Sequence, residues 1–338
     1  MNAVSSRSVL VLGARGRLGL AATRAFAADG WRVIAHARPG ARVTPVPGVS
    51  WVQSELSDHA AVAAAARGAS VVVHALNPVY TAWDAQAMPL LESGLRVAGM
   101  LQARLMLPGN VYNFGASMPT LLSEDTPQRA TTRKGQIRIT MEQRLARAAQ
   151  EGAVKSVVIR AGDFFGSGSG TWFDRALVKN INRGKFTYPG ALDVPTAWAY
   201  LPDLASAFVR VANCLADPHA PVAAFDVFHF QGHALTGSHW LRQLEGIAHE
   251  QRWLADGDDL RVASLPWKLI RIGGALVPMW RELAEMQYLW DTPHALSGTK
   301  LAALIGPEPN TPMPGAVCAA LQSLGLVGAT GCGIHAWA

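Results

Sequence analysis

The seven residues from Gly13 to Gly19 constrain the fold of this chain more than any other stretch, because they join an apolar run to a helical one. The run Val9–Leu12 is continuous and is followed by glycine, which is typical of a parallel strand buried on both faces. Residues 18–29 have the pattern of a helix and end before Gly30. Glycines three residues apart allow a tight turn and a close approach of the backbone to a ligand. The segment therefore predicts a strand, a glycine turn and a helix whose N-terminus can bind an anion.

The alternation of strand and helix continues through the first half of the chain. Further strands are predicted at 31–35, 70–74, 105–107 and 155–160, and further helices at 58–67, 88–100 and 132–150. Alternation at this spacing predicts an α/β fold, a Rossmann-type doubly wound parallel sheet with helices on both faces.

A dinucleotide fits this arrangement, with its pyrophosphate on the helix N-terminus. Sites for NAD usually have an acidic residue about 20 residues further on, which binds the ribose 2′-hydroxyl. Here that stretch reads VIAHAR, with Arg38 after the strand, and Arg15 lies in the turn. Two guanidinium groups suit a 2′-phosphate, so we predict NADP(H) in preference to NAD(H). The alternative is that both arginines are solvated surface charges.

The predicted cofactor contacts extend from the turn to the ends of the following strands. For His74 and Asn77 the alternative is a loop that only satisfies its own backbone. The predicted cofactor-binding residues are Gly13, Arg15, Gly16, Arg17, Leu18, Gly19, Arg38, Glu55, Leu56, His74, Ala75, Leu76, Asn77, Lys134 and Arg160.

The charge distribution agrees with an anionic ligand in the first half of the chain. The formal net charge is +6, and residues 1–190 hold 22 Lys and Arg against 11 Asp and Glu, whereas residues 191–338 hold 8 against 13. No arginine-rich run accompanies this charge, so nucleic acid is not an expected partner. We expect an NADP-binding Rossmann domain at 1–165 and a smaller α+β lobe at 166–327, which is mainly substrate-binding and has some segments that return to the first domain. Residues 328–338 are predicted to form a flexible tail.

The second half of the chain is rich in tryptophan. Seven of the eleven tryptophans fall at or after Trp198, either to close over a substrate or to fill a small core. Three histidines in HFQGHALTGSH have no HExxH helix or cysteine pair beside them, so no metal site is predicted. The apolar run near the N-terminus is too short for a signal peptide, and Leu269–Trp280 is too short and too interrupted to span a membrane. A cytoplasmic protein without a membrane partner is therefore expected.

Several motifs, in the correct order, resemble the extended or atypical branch of the short-chain dehydrogenase/reductase superfamily, the NAD-dependent epimerase/dehydratase-like group. They are the GxxGxxG spacing, VYNFG at 111–115, EDTP at 124–127, VIRAGDFFG at 158–166 and YLPDLA at 200–205. The resemblance implies a small-molecule substrate and a homodimer formed through the helix at 132–150. It also implies chemistry by a serine, a tyrosine and a lysine, with the last two spaced YxxxK.

The chain departs from the family at these catalytic residues. None of its five tyrosines has a lysine four residues later, and 107–110 contains no serine. Aligning Glu142 with the glutamate usual in the family puts Lys134 in the tyrosine position and Arg138 in the lysine position. These two cations share a helix face, and their proximity and partial burial favour loss of the lysine's proton. Lys134 and Arg138 are therefore candidate catalytic residues, with Tyr112 and Asn113 beside them in the pocket.

Two functions remain open. One is an NADP(H)-dependent oxidoreductase (a reductase, dehydrogenase or epimerase-like enzyme) that acts on a small, fairly apolar carbonyl or alcohol substrate, with Lys134 in place of the tyrosine. The other is a non-catalytic NADP-binding redox sensor or scaffold, in which Lys134 and Arg138 only hold the cofactor.

Overall fold

The computed structural model describes residues 7–217 and 219–328. Within them the strands, in chain order, are β1 (Ser8–Leu12), β2 (Arg32–Ala37), β3 (Val49–Gln53), β4 (Val71–His74), β5 (Arg104–Gly109), β6 (Leu121–Leu122), β7 (Ser156–Arg160), β8 (Asp163–Phe165), β9 (Lys185–Tyr188), β10 (Thr196–Tyr200), β11 (Phe225–His229), β12 (His233–Leu235), β13 (Arg261–Ser264) and β14 (Ala295–Leu296). The helices are α1 (Arg17–Ala28), α2 (His59–Ala65), α3 (Trp83–Leu101), α4 (Arg133–Gln150), α5 (Leu201–Leu215), α6 (Gly237–Glu250), α7 (Trp267–Gly273), α8 (Pro278–Glu285), α9 (Tyr288–Asp291), α10 (Thr299–Ile305) and α11 (Met313–Ser323).

The central element is a parallel sheet of seven strands in the order β11-β7-β5-β4-β1-β2-β3. The chain runs outward in one direction from β1 to β3 and in the other direction from β4 to β11. This reversal confirms the predicted doubly wound α/β fold. In such sheets a ligand binds outside the carboxyl ends of the strands at the reversal point, which here lies between β1 and β4.

Helices cover both faces of the sheet, and β1 shows why its sequence is apolar throughout. Val9 and Val11 pack into the core that contains α1 and α5, whereas Leu10 and Leu12 pack into the core that contains α2, α3 and α4. All four side chains are fully buried. A strand with both faces covered therefore has no polar alternation, as the sequence pattern predicted.

Another hydrophobic core lies among the later elements, apart from the two that flank the central sheet. It is built around β8, β10 and β12, which form a three-stranded sheet, and around the short pair β9 and β13. Trp198, Trp240 and Trp290 are completely buried in it, with ring centres of Trp198 and Trp240 4.9 Å apart. For these three tryptophans the structure favours the core-filling alternative over closure on a substrate. Within the described residues, no helix is both long enough and apolar enough to cross a membrane.

Three features of the fold differ from the sequence prediction or lie beyond it. β3 and β11 were not predicted as strands. For β11, the sequence analysis predicted only that some later segments return to the first domain. α3 begins at Trp83, five residues before the predicted start, and contains Pro89. Residues 329–338 of the predicted tail lie outside the described residues.

Candidate active site

The glycine turn after β1 brings three backbone segments into close contact. Gly13 has a φ of +78°, and a Cβ there would lie 2.7 Å from the carbonyl oxygen of Ala75 after β4. A Cβ on Gly19 would collide with the carbonyl oxygen of Gly13. Gly16 is exposed and caps α1 without a side-chain hydrogen bond, and the first turn of α1 has no acidic residue. The turn therefore presents a helix N-terminus that fits a pyrophosphate.

Two exposed arginines flank this turn. The backbone N–H of Ala14 donates to the carbonyl of His36 over 3.3 Å, which holds the turn against the end of β2. Arg15 lies in this turn and Arg38 directly follows β2, and neither forms an ion pair within residues 7–217 and 219–328. β2 has no acidic residue, and burial lowers the pKa of His36 near its end, so this histidine is neutral. Such a surrounding fits a 2′-phosphate better than a free 2′-hydroxyl.

Arg17 follows the turn and points toward the other lobe. Its Nη1 is buried and has no hydrogen-bond partner in the described part of the chain. Burial lowers the pKa of Arg17, and the nearby Asp174 carboxylate opposes that shift. A buried donor without an acceptor beside a helix N-terminus is consistent with an anionic ligand there. Leu18 is buried in the core below the turn.

The remaining predicted cofactor contacts differ in accessibility. Ala75 and Leu76 are partly exposed and Asn77 is exposed along the crevice after β4, and Leu76 and Asn77 line a small cleft with Trp83 and Arg138. His74 is buried, and its Nε2 is 3.0 Å from the carbonyl oxygen of Leu90, so it ties β4 to α3. This contact agrees with the alternative prediction for His74, in which its side chain only satisfies a backbone group. After β3, Glu55 is exposed and Leu56 is partly buried.

Lys134 lies in the first turn of α4 and is only 1% exposed. Its ammonium forms ion pairs with Glu282 and Glu285 of α8, at 3.0 Å for Glu285, and lies 4.5 Å from the centre of the Tyr80 ring. Arg133 reaches Glu282 as well, over 2.9 Å. Lys134 is therefore enclosed by a charge cluster that also includes Arg133.

The carboxylate of Glu282 is ionised by the same contacts. Burial by itself would raise the pKa of Glu282, but the hydrogen bonds from Lys134 and Arg133 outweigh it, and the pKa is lowered. α8 is therefore fixed over the start of α4 by a buried charge cluster, and it covers Lys134 from solvent. Sequence reasoning missed both glutamates, because 148 residues separate Lys134 from Glu282.

Arg138 lies one turn further along α4 and faces a group of aromatic side chains. Its Nη1 donates to the carbonyl oxygen of Pro108 over 3.0 Å, and its guanidinium carbon is 4.9 Å from the centre of the Trp83 ring. The ring of Trp83 also lies beside those of Tyr80 and Tyr112, at 6.3 and 6.2 Å. Burial raises the pKa of Tyr112, so its phenol remains protonated and can donate a hydrogen bond. The structure thus brings Lys134, Arg138 and Tyr112 together around the rings of Tyr80 and Trp83.

Asp163 is an acidic residue of this site that sequence reasoning missed. It begins β8, directly after β7, and its carboxyl interacts electrostatically with Tyr80, Tyr112 and Tyr288. It has no ion-pair partner among the described residues, and burial raises its pKa from 3.8 to about 7. The only signal in the sequence is an aspartate within the otherwise apolar stretch AGDFF.

Asn113 and Arg160 belong to a second buried network behind the site. Arg160 is 1% exposed and binds both oxygens of Glu142, with Nη2 2.5 Å from Oε2, and its Nη1 is 3.1 Å from His229. Asn113 donates to Glu142 over 3.0 Å and to Gln128. The structure thus places these two side chains away from Lys134. Cofactor binding by Arg160 stays a prediction, and it would require the guanidinium to leave Glu142.

A doubly wound sheet with a glycine turn at its reversal point defines a protein that binds a dinucleotide. Residues 9–222 match the model of the NAD dependent epimerase/dehydratase family, and the chain belongs to this family of enzymes. No curated protein sequence matches the chain.

Solved structures with the same fold agree with the family. A putative epimerase from Burkholderia cenocepacia has 18% identity and a TM-score of 0.70, with 94% of this chain and 98% of that chain covered. The UDP-glucose 4-epimerase of Thermotoga maritima, solved with UDP-glucose, has 13% identity and a TM-score of 0.71 over the same shares. An enzyme of Bordetella bronchiseptica in complex with NAD+ has 15% identity and a TM-score of 0.68, again over 94% and 98%. At these identities the comparison shows the fold.

Proposed function

We propose that this protein is an NADP(H)-dependent oxidoreductase, either a reductase, a dehydrogenase or an epimerase-like enzyme. The observation that carries the cofactor preference is the pair of exposed arginines, Arg15 and Arg38, which have no ion-pair partner among the described residues and lie beside a glycine turn whose neighbouring strand has no acidic residue. The turn would hold the pyrophosphate, and the arginines would bind the 2′-phosphate. When bound, the nicotinamide supplies or accepts a hydride.

The substrate of this proposal is a small, fairly apolar carbonyl or alcohol compound. Tyr80, Trp83 and Tyr112 line the place next to α4, and their rings offer apolar contact with few hydrogen-bonding groups. Two groups there are candidates for handling the proton. Lys134 could reach a substrate only if α8 uncovered it, whereas the Asp163 carboxyl can exchange a proton near neutral pH.

Binding of NADP and NAD to single-arginine variants tests the cofactor preference. Arg38→Ser is expected to weaken NADP binding about tenfold to a hundredfold, since a hydrogen bond to a charged group contributes about 1.5–3 kcal/mol. Its affinity for NAD should not change. Arg24→Ser removes an exposed arginine from α1 and serves as the control of equal charge. Equal affinities of the wild type for NADP and NAD would contradict the preference.

Oxidation of NADPH with a panel of aldehydes, ketones and enones tests the chemistry. UDP-glucose is tested separately, with NADP+ and analysis of the sugar product, because the Thermotoga maritima enzyme was solved with it and it has no carbonyl group for NADPH to reduce. Lys134→Met and Asp163→Asn distinguish the two proton-handling candidates. If Lys134→Met turns over as fast as the wild type, the lysine has no catalytic role.

The second candidate function is a non-catalytic NADP-binding redox sensor or scaffold. The buried pairs between Lys134 and α8 favour it, because they cover the residue in the tyrosine position. It predicts NADP-preferring binding without turnover on any panel member, and a protein partner that is captured with NADP present. The homodimer through α4 that the family resemblance implies is likewise a proposal, which light scattering tests.

A further inference from the structure

The turn between α7 and α8 exposes an unusually apolar surface. We call residues 267–281 the α7–α8 hairpin. The side chains of Ile272 and Leu276 are 76% and 88% exposed, and three more large apolar side chains are exposed beside them, those of Leu269, Val277 and Met279. Single exposed apolar residues need no explanation, but a group of five within eleven residues marks an interaction surface.

Internal contacts fix the conformation of the α7–α8 hairpin, and this conformation exposes its apolar side chains to solvent. The N–H of Val277 donates to the carbonyl of Gly273 over 2.8 Å. The ring of Trp280 packs directly on Gly273, where a Cβ would collide with it. Ile270 is buried below, and Glu282 just beyond the hairpin is fixed to Lys134. The hairpin thus has an inner side anchored to the protein and an outer side on which its apolar side chains are exposed.

The charges of the α7–α8 hairpin have one sign. Lys268, Arg271 and Arg281 are exposed, and residues 267–281 contain no acidic residue. Apolar side chains flanked by lysine and arginine characterise segments that lie in the interface of an anionic membrane. A second copy of the chain is a poorer occupant, since a two-fold contact would place these cations against their own copies.

We propose that the α7–α8 hairpin docks this protein onto an anionic lipid surface, with the five apolar side chains in the headgroup region. The contact is peripheral and involves no membrane span. It does not depend on the proposed enzymatic function. Because α8 also covers Lys134 and contacts the turn at Tyr80–Ala82, docking would place the candidate active site next to the lipid.

Co-sedimentation of the full chain with vesicles tests the proposal. The wild type is expected to bind vesicles of phosphatidylcholine and phosphatidylserine in equal parts at least tenfold more tightly than vesicles of phosphatidylcholine alone. Leu276→Glu should abolish this binding, and Leu276→Gln should weaken it without adding a charge. Lys268→Gln and Arg271→Gln should each weaken binding to the anionic vesicles about fivefold. Leu121→Glu is the matched control, because Leu121 is 60% exposed on β6, away from the hairpin.

Three results would overturn the proposal. The first is a wild type that stays in solution with both kinds of vesicle. The second is an equal loss of binding in Leu121→Glu and Leu276→Glu, which would show that the hairpin is not the docking surface. The third is a wild type that is dimeric by light scattering and becomes monomeric with Leu276→Glu, without vesicle binding. That result would assign the surface to a second copy. Circular dichroism confirms that each variant is folded.

Discussion

Lys134 is buried and Asp163 is half-buried at the same site, but their surroundings are opposite. Lys134 touches two carboxylates. Asp163 has tyrosine hydroxyl groups around it and no cation paired with it in the described residues, so burial dominates and its pKa rises to about 7. Asp163 is therefore the group of this site that we expect to exchange a proton near neutral pH.

Asp163→Asn should make the stability of the protein less dependent on pH. A folded-state pKa raised from 3.8 to about 7 means that the carboxyl's contribution to stability is present below the lower value and is lost as the pH rises through the upper one. The wild type should therefore lose thermal stability over this range, and the asparagine variant should lose less. Melting temperatures across the range measure the effect, with the exposed Asp193→Asn as control. Parallel curves for the wild type and Asp163→Asn would disprove the shift.

Gly19→Ala should weaken cofactor binding by at least about tenfold, because a Cβ there collides with the carbonyl oxygen of Gly13 and must displace the turn. The unfolding free energy should fall as well. Gly246→Ala, in α6, is the matched control. It has no atom near the new Cβ and should stabilise the protein by up to about 1 kcal/mol. Titration with NADP and chemical denaturation measure both effects; unchanged NADP binding in Gly19→Ala would contradict this role of the turn.

α4 shows which parts of an element a sequence can predict. Its ends follow from local signals: the hydroxyl of Thr132 accepts from the N–H of Gly135 over 3.1 Å, and Gly152 closes the segment. The side chains that α4 contacts cannot be predicted from local signals, because Glu282 is distant in the chain and the sequence of α8 alone indicates only a short amphipathic helix. The prediction thus placed Lys134 and Arg138 on one face but could not foresee the carboxylates opposite them.

The missed strands have equally specific causes. β3 reads VSWVQ and lies at the sheet edge, where its residues are half-buried or exposed, so its apolar pattern is weak. β11 follows a long excursion through the second lobe, and its membership in the central sheet depends on pairing with β7. α3 contains a proline in its second turn, which is normally unfavourable in a helix and obscures the helix start.

Breaking the buried pair between α4 and β7 should be strongly destabilising. Glu142→Gln or Arg160→Met leaves an uncompensated charge in the interior, which costs about 3–5 kcal/mol. The double variant should lose less than the sum of the two single losses, because it leaves neither charge. Urea denaturation of all four proteins measures the coupling. Additive losses would mean that the two side chains act independently.

At the scale of the whole molecule, the chain passes back and forth between the central sheet with its helices, the first unit, and the core around Trp198, the second unit. β10 and β12 belong to the second unit, yet β11, which lies between them in sequence, completes the central sheet, and α5 packs on the same face as α1. The glycine turn lies in the first unit, whereas Trp198, Trp240 and Trp290 lie in the second. The topology therefore predicts that the whole molecule unfolds in one cooperative transition and that the two units do not unfold independently.

NADP should therefore stabilise both units together. At a hundred times its dissociation constant, a ligand that binds only the folded state adds about 2.7 kcal/mol. The melting temperature should rise equally by far-UV circular dichroism and by tryptophan fluorescence, and NAD at the same concentration should raise it less. Two separate transitions, of which NADP shifted only one, would mean that the two units unfold separately.

The position of β11 also governs how the chain can fold while it is being synthesised. β7 is complete at residue 160, but its neighbour on the outer side ends only at residue 229. Until the ribosome has released those later residues, β7 is an open edge whose backbone groups can pair with another nascent chain. Slow translation between residues 160 and 229 would lengthen that exposure, so a change of codons in this interval alone, with no change of protein sequence, should alter the soluble yield.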